Sequence, residues 1–471
     1  MLQKVNWKGF IIPLILGIGL WLLTPLKPAM ISVAAWHLFS IFIATIVACI
    51  TKPLPMMSVM IISITISILL KLFTTEEVTT AFGSNIGWMI AMCLFMSAGF
   101  ANSGLGKRLA YYFIKLFGKS TLGLAYAFSF VEVVLSVGIP SNNARLNGII
   151  YPILDSLSRS MGSSPKEGTE RKIGSYLAFN EYEVDIITSA LFLTGLGGNS
   201  VAVGLAKAQG IEISWLTWFL AALVPGVLSL ILVPLVLYKI YPPTIKKTPN
   251  SKQWADDHLA EMGPMSLSEK IMASTFALAT LLWVIGSLIG IDATLVSFIA
   301  VSILLTTGVI SMKDMLETKF AWNLLTWLSI ILLMSAKLTK LGFFKWFSMT
   351  LGGMLHGVNW MLVLVVLCLA YFYLHYLFPS IISHISALYP GFLSIAIGAG
   401  SPHLLAALLL AFYGVIDLST SPYSQGTAAF MSGTGYISEK DWWKLNAIIG
   451  VVLNVIWLVV GIAWAKVIGI W

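Results

Sequence analysis

Arg145 stands inside a long apolar stretch, in the run Gly138-Ile139-Pro140-Ser141-Asn142-Asn143-Ala144-Arg145. A guanidinium at membrane depth is costly, and an ionisable side chain there marks a functional site by default. Its planar fork matches a carboxylate in bidentate fashion. A second run, Phe378-Pro379-Ser380-Ile381-Ile382-Ser383-His384, sets His384 after Ser380 at the spacing that separates Arg145 from Ser141. His384 donates one or two hydrogen bonds, depending on its protonation. Two more polar runs interrupt apolar stretches: Thr194-Gly195-Leu196-Gly197-Gly198-Asn199-Ser200, and the segment from Asp417 through Ser419, Thr420, Ser421 and Pro422 to Thr427. Non-helical backbone at this depth is tolerated only where protein or a water-filled cavity surrounds it. Pro and Gly open the turns; Ser, Thr and Asn supply short polar groups for a carboxylate or a dehydrated cation. The candidate substrate-binding residues are therefore Ser141, Asn142, Asn143, Arg145, Gly198, Asn199, Ser380, His384, Thr420, Ser421 and Pro422. Donors at two matching positions suit a ligand with a carboxylate at each end. The plainer readings are an ion pair of Arg145 with Asp155 or Glu132, a packing role for His384, and helix kinks joined by small polar residues.

The matching positions belong to an internal repeat. Asn85 opens a helix reading Leu94-Phe95-Met96-Ser97-Ala98 and ending near Gly104; Asn323 opens one reading Leu332-Leu333-Met334-Ser335-Ala336 and ending near Gly342. The offset is 238, and Pro140-Ser141 matches Pro379-Ser380 at 239, Tyr151-Pro152 matches Tyr389-Pro390 at 238. A register held across Asn, Ser, Gly, Pro and Tyr is more telling than one held across Leu and Ala. Repeats of opposite orientation with interrupted helices are how many secondary transporters build a site near the bilayer midplane.

Around these runs the chain is built for lipid. Of 471 residues, 58% are hydrophobic and 10% charged, whereas soluble domains carry about a quarter charged residues. Apolar stretches long enough to span recur from Phe10–Leu23 to Ala447–Ile468. The net charge of +8 comes from Lys and Arg in the short loops between them, so it points to membrane topology and not to nucleic acid. With a cytoplasmic N-terminus, and with 122–157 and 360–397 entering and leaving on one side, 20 of the 28 Lys and Arg are cytoplasmic. Lys337, Lys340 and Lys345 dissent. This topology has eleven spanning helices and two re-entrant hairpins, with Asn85 and Asn323 at opposite membrane faces. It divides the chain into scaffold helices 1–81, a first repeat 82–214, further scaffold helices and a cytoplasmic loop 215–310, and a second, inverted repeat 311–471. Cys49, Cys93 and Cys368 lack metal or disulfide spacing. No HxxxH or GxSxG occurs, so the reading expects no enzyme and no cofactor, with sodium left open.

Ser141-Asn142-Asn143-Ala144-Arg145, together with Ser424-Gln425-Gly426 through Gly433-Thr434-Gly435-Tyr436, resembles the divalent anion:sodium symporter (DASS) family. Within it, the chain is similar to the branch of bacterial citrate/succinate antiporters and plastid-type 2-oxoglutarate/malate translocators. The likeness covers nearly the whole chain. It implies an all-α integral membrane fold with eleven helices and two hairpins, a homodimer, and elevator-like movement of the hairpin domain in the cell membrane. The expected activity is transport of succinate, malate, fumarate or 2-oxoglutarate, by exchange or by sodium-coupled symport. Two departures bear on coupling. Asn143 replaces the family's Thr, and Ser380-Ile381-Ile382 replaces the second Ser-Asn-Thr, where two isoleucines supply no oxygen to a cation.

Overall fold

The computed structural model describes residues 5–286, 289–354 and 357–471. Lys4, among the lysines that the topology puts in the cytoplasm, and residues 287–288, within a further apolar stretch of the sequence at Ile271–Ile289, lie outside them. Among the described residues there is no strand, only an isolated bridge between Ser120 and Lys247. Eight helices among the described residues are long and apolar enough to cross a membrane: Val33–Thr51, Asn85–Ser103, Trp215–Ile240, Leu267–Ile285, Lys319–Lys340, Trp360–Leu377, Ile381–Gly398 and Glu439–Val467. Shorter apolar helices, such as Met56–Leu69 and His403–Ile416, stand among them. Large apolar side chains such as Leu69, Leu362 and Val459 lie exposed on their outer faces, as they must where hydrocarbon replaces water.

All four polar runs fall on interruptions between helices. Thr121–Ser136 stops, the chain turns through 137–142, and it resumes as the wide-wound Asn143–Ile150 and then Tyr151–Ser160. Gly174–Leu191 is separated from Gly197–Ala208 by an irregular link. Trp360–Leu374 gives way to a tight turn at His375–Leu377 before Ile381–Gly398 begins. His403–Ile416 is separated from Gly426–Gly433 by 417–425.

Gly104 and Gly342 both adopt φ +78°, at the 238-residue offset seen in the sequence, each turning the chain into a short helix: Leu105–Phe117 and Phe343–Met354. The hydropathy reading missed both helices, and also Ser251–Met262 inside the 242–268 loop. They are not continuously apolar: Leu105–Phe117 carries Lys107, Arg108 and Lys115. Arg108 is buried and grips Glu269 through two hydrogen bonds, of 2.6 and 3.1 Å, which ties this helix to the start of Leu267–Ile285. Lys337, one of the dissenting lysines, lies 2.6 Å from Glu77, so its charge is matched by an acid at its own end of the molecule. The hydrogen bond from Lys337 holds the Glu77 carboxyl below its usual range.

Candidate functional site

Gly174–Leu191 is the axis of the site. All 18 of its residues are buried, among them Asn180, Glu181, Glu183 and Asp185. Buried acids need partners, and Asp185 finds two on the first interrupted segment. Arg145 Nη2 donates to Asp185 Oδ1 at 2.8 Å, and Asn142 Nδ2 donates to Asp185 Oδ2 at 2.5 Å.

Arg145 is fully buried and fully engaged. Its Nε donates to Glu132 Oε2 at 2.8 Å, its Nη2 also to Ser189 Oγ at 2.7 Å, and its Nη1 to the carbonyls of Ile139 and Gly195. A guanidinium has five N–H groups, and each here has a protein acceptor. The pairing with Glu132 allowed by the sequence is the one that forms; Asp155 instead joins Arg159 at 2.9 Å. Arg145 therefore stitches the first break, at Ile139, to the second, at Gly195.

The remaining candidates gather around this stitch. Gly197 N donates to Pro140 O at 3.1 Å. Gly198 faces the start of Ile381–Gly398: a Cβ there would stand 3.1 Å from Ile385 Cδ1 and 3.4 Å from Ile381 Cδ1. Asn143 is exposed and lies against Gly426, where a Cβ would meet its amide nitrogen at 3.4 Å. The fourth break closes on the third through His375 Nε2, 3.2 Å from Ser424 O, and through His384 Nδ1, 2.7 Å from Asp417 Oδ2. It closes on the axis helix where Ser419 Oγ donates to Glu183 at 3.1 Å and Tyr182 Oη donates to Leu418 O at 2.6 Å. The four breaks thus form one connected polar centre.

Around that centre four helices begin, at Asn143, Gly197, Ile381 and Gly426. A helix start carries free N–H groups and partial positive charge, which favours an anion. Ser141 and Ser380 are spent on their own segments, accepting from Ala144 N and Ser383 N. Thr420 Oγ1 bonds the carbonyl of Asp417, Asn199 Nδ2 bonds those of Ser189 and Phe192, and Pro422 is half-buried. Buried side-chain atoms without a protein partner include Ser421 Oγ, Gln425 Nε2, Thr427 Oγ1, Asn142 Oδ1 and Asn199 Oδ1. Gln425 and Thr427 were not among the sequence candidates, although the fourth polar run contains both. Asp185, Glu181 and Glu183 were missed because they sit in what reads as an ordinary spanning stretch.

Residues 4–471 match the model of the sodium:sulfate symporter transmembrane region. The putative malate transporter YflS of Bacillus subtilis is 41% identical over 470 residues, which cover 100% of this chain and 98% of that protein. The chloroplastic dicarboxylate transporter 1 of Arabidopsis thaliana is 41% identical over 475 residues, covering 99% of this chain and 85% of that one. Among solved structures, the YdaH transporter of Alcanivorax borkumensis aligns with a TM-score of 0.57 at 13% identity, over 85% of this chain and 89% of its own, a likeness of fold alone. With a family match across the chain and relatives this similar over full length, the protein belongs to the sodium:sulfate symporter family, the divalent anion symporters that its Ser-Asn-Asn-Ala-Arg run resembled.

Proposed function

We propose that this multi-pass membrane protein is a secondary transporter that exchanges small dicarboxylates of the succinate, malate, fumarate and 2-oxoglutarate class. The observation that carries this reading is the meeting of four helix breaks, two from each repeat, at one polar centre ringed by helix starts. Such a centre offers donors and partial positive charge to an anion. Relatives named for malate and dicarboxylate transport support the substrate class. In this proposal Ser421, Gln425, Thr427, Asn143, the N–H of Gly198 and the N–H groups starting at Gly426 face the carboxylates. Arg145 shapes the first tip, its charge spent on Glu132 and Asp185.

The proposal includes the wider architecture. Residues 82–214 and 311–471 are inverted repeats carrying re-entrant hairpins, and 1–81 and 215–310 are mostly scaffold. The hairpin domain moves like an elevator within a homodimer, with the N-terminus in the cytoplasm of a cell whose plasma membrane holds the protein. Ile381 and Ile382 deny a cation its oxygens at the second tip, which favours exchange. Sodium-coupled symport is the second reading, favoured by the unpartnered Oδ1 atoms of Asn142 and Asn199. Substrate class is tested by competition in proteoliposomes. Succinate, malate, fumarate and 2-oxoglutarate should each block uptake of labelled succinate, while lactate should leave half the site's donors unpaired and compete poorly. Equal inhibition by lactate and succinate would overturn the dicarboxylate reading.

A further inference from the structure

His375, His384 and Asp417 meet in the second repeat with no part in the contacts described so far beyond joining two breaks. All three side chains are fully buried. His375 Nε2 lies 3.2 Å from the Ser424 carbonyl, which only accepts, so Nε2 carries a hydrogen. Its other nitrogen, Nδ1, faces Asp417 Oδ2 at 3.6 Å, and His384 Nδ1 approaches the same oxygen at 2.7 Å, off the line of a straight hydrogen bond. Among the described residues, Asp417 has no lysine or arginine within ion-pair distance, and neither of its carboxylate oxygens accepts a hydrogen bond.

Proton counting limits what this triad can be. With both imidazoles neutral and Asp417 ionised, a carboxylate is buried without a counter-charge, facing a lone pair on His375. That arrangement is costly. One more proton, on either imidazole or on the carboxyl, makes the triad neutral. In the first repeat Asp185 has a permanent counter-charge, since Arg145 sits on it at 2.8 Å while also pairing with Glu132. The second repeat puts a group that can lose its charge at the position equivalent to Arg145. The geometry suits a proton better than a metal ion. Ligand atoms around a tetrahedral zinc stand about 3.4 Å apart, given bonds of about 2.1 Å, and a 2.7 Å approach leaves no such room.

The triad also borders the proposed binding surface, since Ser421 lies four residues beyond Asp417 and Ser380 one turn before His384. We infer that His375, His384 and Asp417 form a proton-binding site that takes up a proton together with the substrate dianion. This rests on the dicarboxylate reading and adds the identity of the coupled ion. A dianion entering beside a negative triad is repelled and one entering beside a neutral triad is not, so substrate and proton favour each other's binding. Other titratable groups face the triad from the elements packed on it. The Tyr371 ring lies 4.2 Å from the His384 ring, tilted by 45°, and Tyr182 and Glu183 reach the fourth break through Leu418, Ser424 and Ser419. Glu183 is the one other carboxyl among them and needs its own control.

The test is fumarate binding to the purified full-length protein in weakly buffered detergent, with a pH dye recording proton uptake. Fumarate stays doubly ionised through the neutral range, so any proton taken up goes to the protein. The wild type should take up close to one proton per bound fumarate on the alkaline side of the triad's titration, where affinity should fall about tenfold per pH unit. Asp417→Asn should bind fumarate with no proton uptake and a flat pH profile, and His375→Gln should flatten the profile too if Asp417→Asn does not fold. Glu183→Gln should keep the uptake. Fumarate binding without proton uptake in the wild type overturns the proton site and leaves the dicarboxylate reading standing, whereas no binding of fumarate or succinate overturns both. Loss of uptake in Glu183→Gln moves the proton elsewhere and overturns the assignment. Binding that disappears on adding EDTA and returns with zinc overturns it in favour of a metal.

Discussion

In the proposed site Arg145 would serve a ligand it does not touch. It spends its fork on Glu132, Asp185, Ser189 and two backbone carbonyls. Lysine keeps the charge but has three donors at a single point. Arg145→Lys should therefore retain part of the ion pairing, lose the link between the first two breaks, and cut transport by about tenfold or more. It should also lower the melting temperature in detergent, because two buried acids lose hydrogen bonds. Arg145→Ala should be worse, as removing one side of a buried pair costs about 3–5 kcal/mol. Normal transport by Arg145→Lys would show that the five-bond geometry is dispensable. Gly426→Val asks a different question: the side chain would fill the space beside the Asn143 amide. Transport KM should rise several-fold with the fold intact; unchanged kinetics would remove Asn143 and Gly426 from the binding surface. The sequence showed Arg145 because its type is out of place in an apolar run. It did not show Asp185, because a pairing between residues forty positions apart is made by packing and leaves no local pattern.

Among the elements, the two glycines at matched φ are the most exacting local requirement. At φ +78° an alanine meets the left-handed penalty, about 1–2 kcal/mol. Space is not the obstacle at Gly342, where a Cβ would have no neighbour within 4 Å, nor at Gly104, whose nearest atom is Met262 Cε at 3.7 Å. Gly104→Ala and Gly342→Ala should therefore each lower thermal stability by a similar small step. A large loss at one and none at the other would mean that the two turns are not structural equivalents. The breaks were legible because Pro, Gly and Asn interrupt hydrophobic runs, and all four lie where the polar residues marked them. The helices Leu105–Phe117, Phe343–Met354 and Ser251–Met262 were not, since a search for continuous apolar length passes over amphipathic segments.

For the molecule as a whole, the proposed elevator makes coupling depend on what the centre would expose as it crossed the membrane. Ser421 Oγ, Gln425 Nε2, Thr427 Oγ1 and Asn142 Oδ1 are buried without protein partners. Unpaired polar atoms in a low-dielectric interior are costly, and a bound dicarboxylate pairs with several of them. In the proposed elevator a loaded domain would then move more readily than an empty one, which favours exchange over net transport. The repeat and the lipid-facing composition could be read from the sequence alone. The balance of charge in the centre could not, because it depends on Glu132 and Asp185 closing around Arg145 and on Asp417 standing between two histidines. The most direct measurement is uptake of labelled succinate into proteoliposomes either preloaded with succinate or empty, each in sodium and in choline buffer. Exchange predicts uptake that requires internal succinate and is the same in both buffers, and strong sodium-driven uptake into empty liposomes would contradict it.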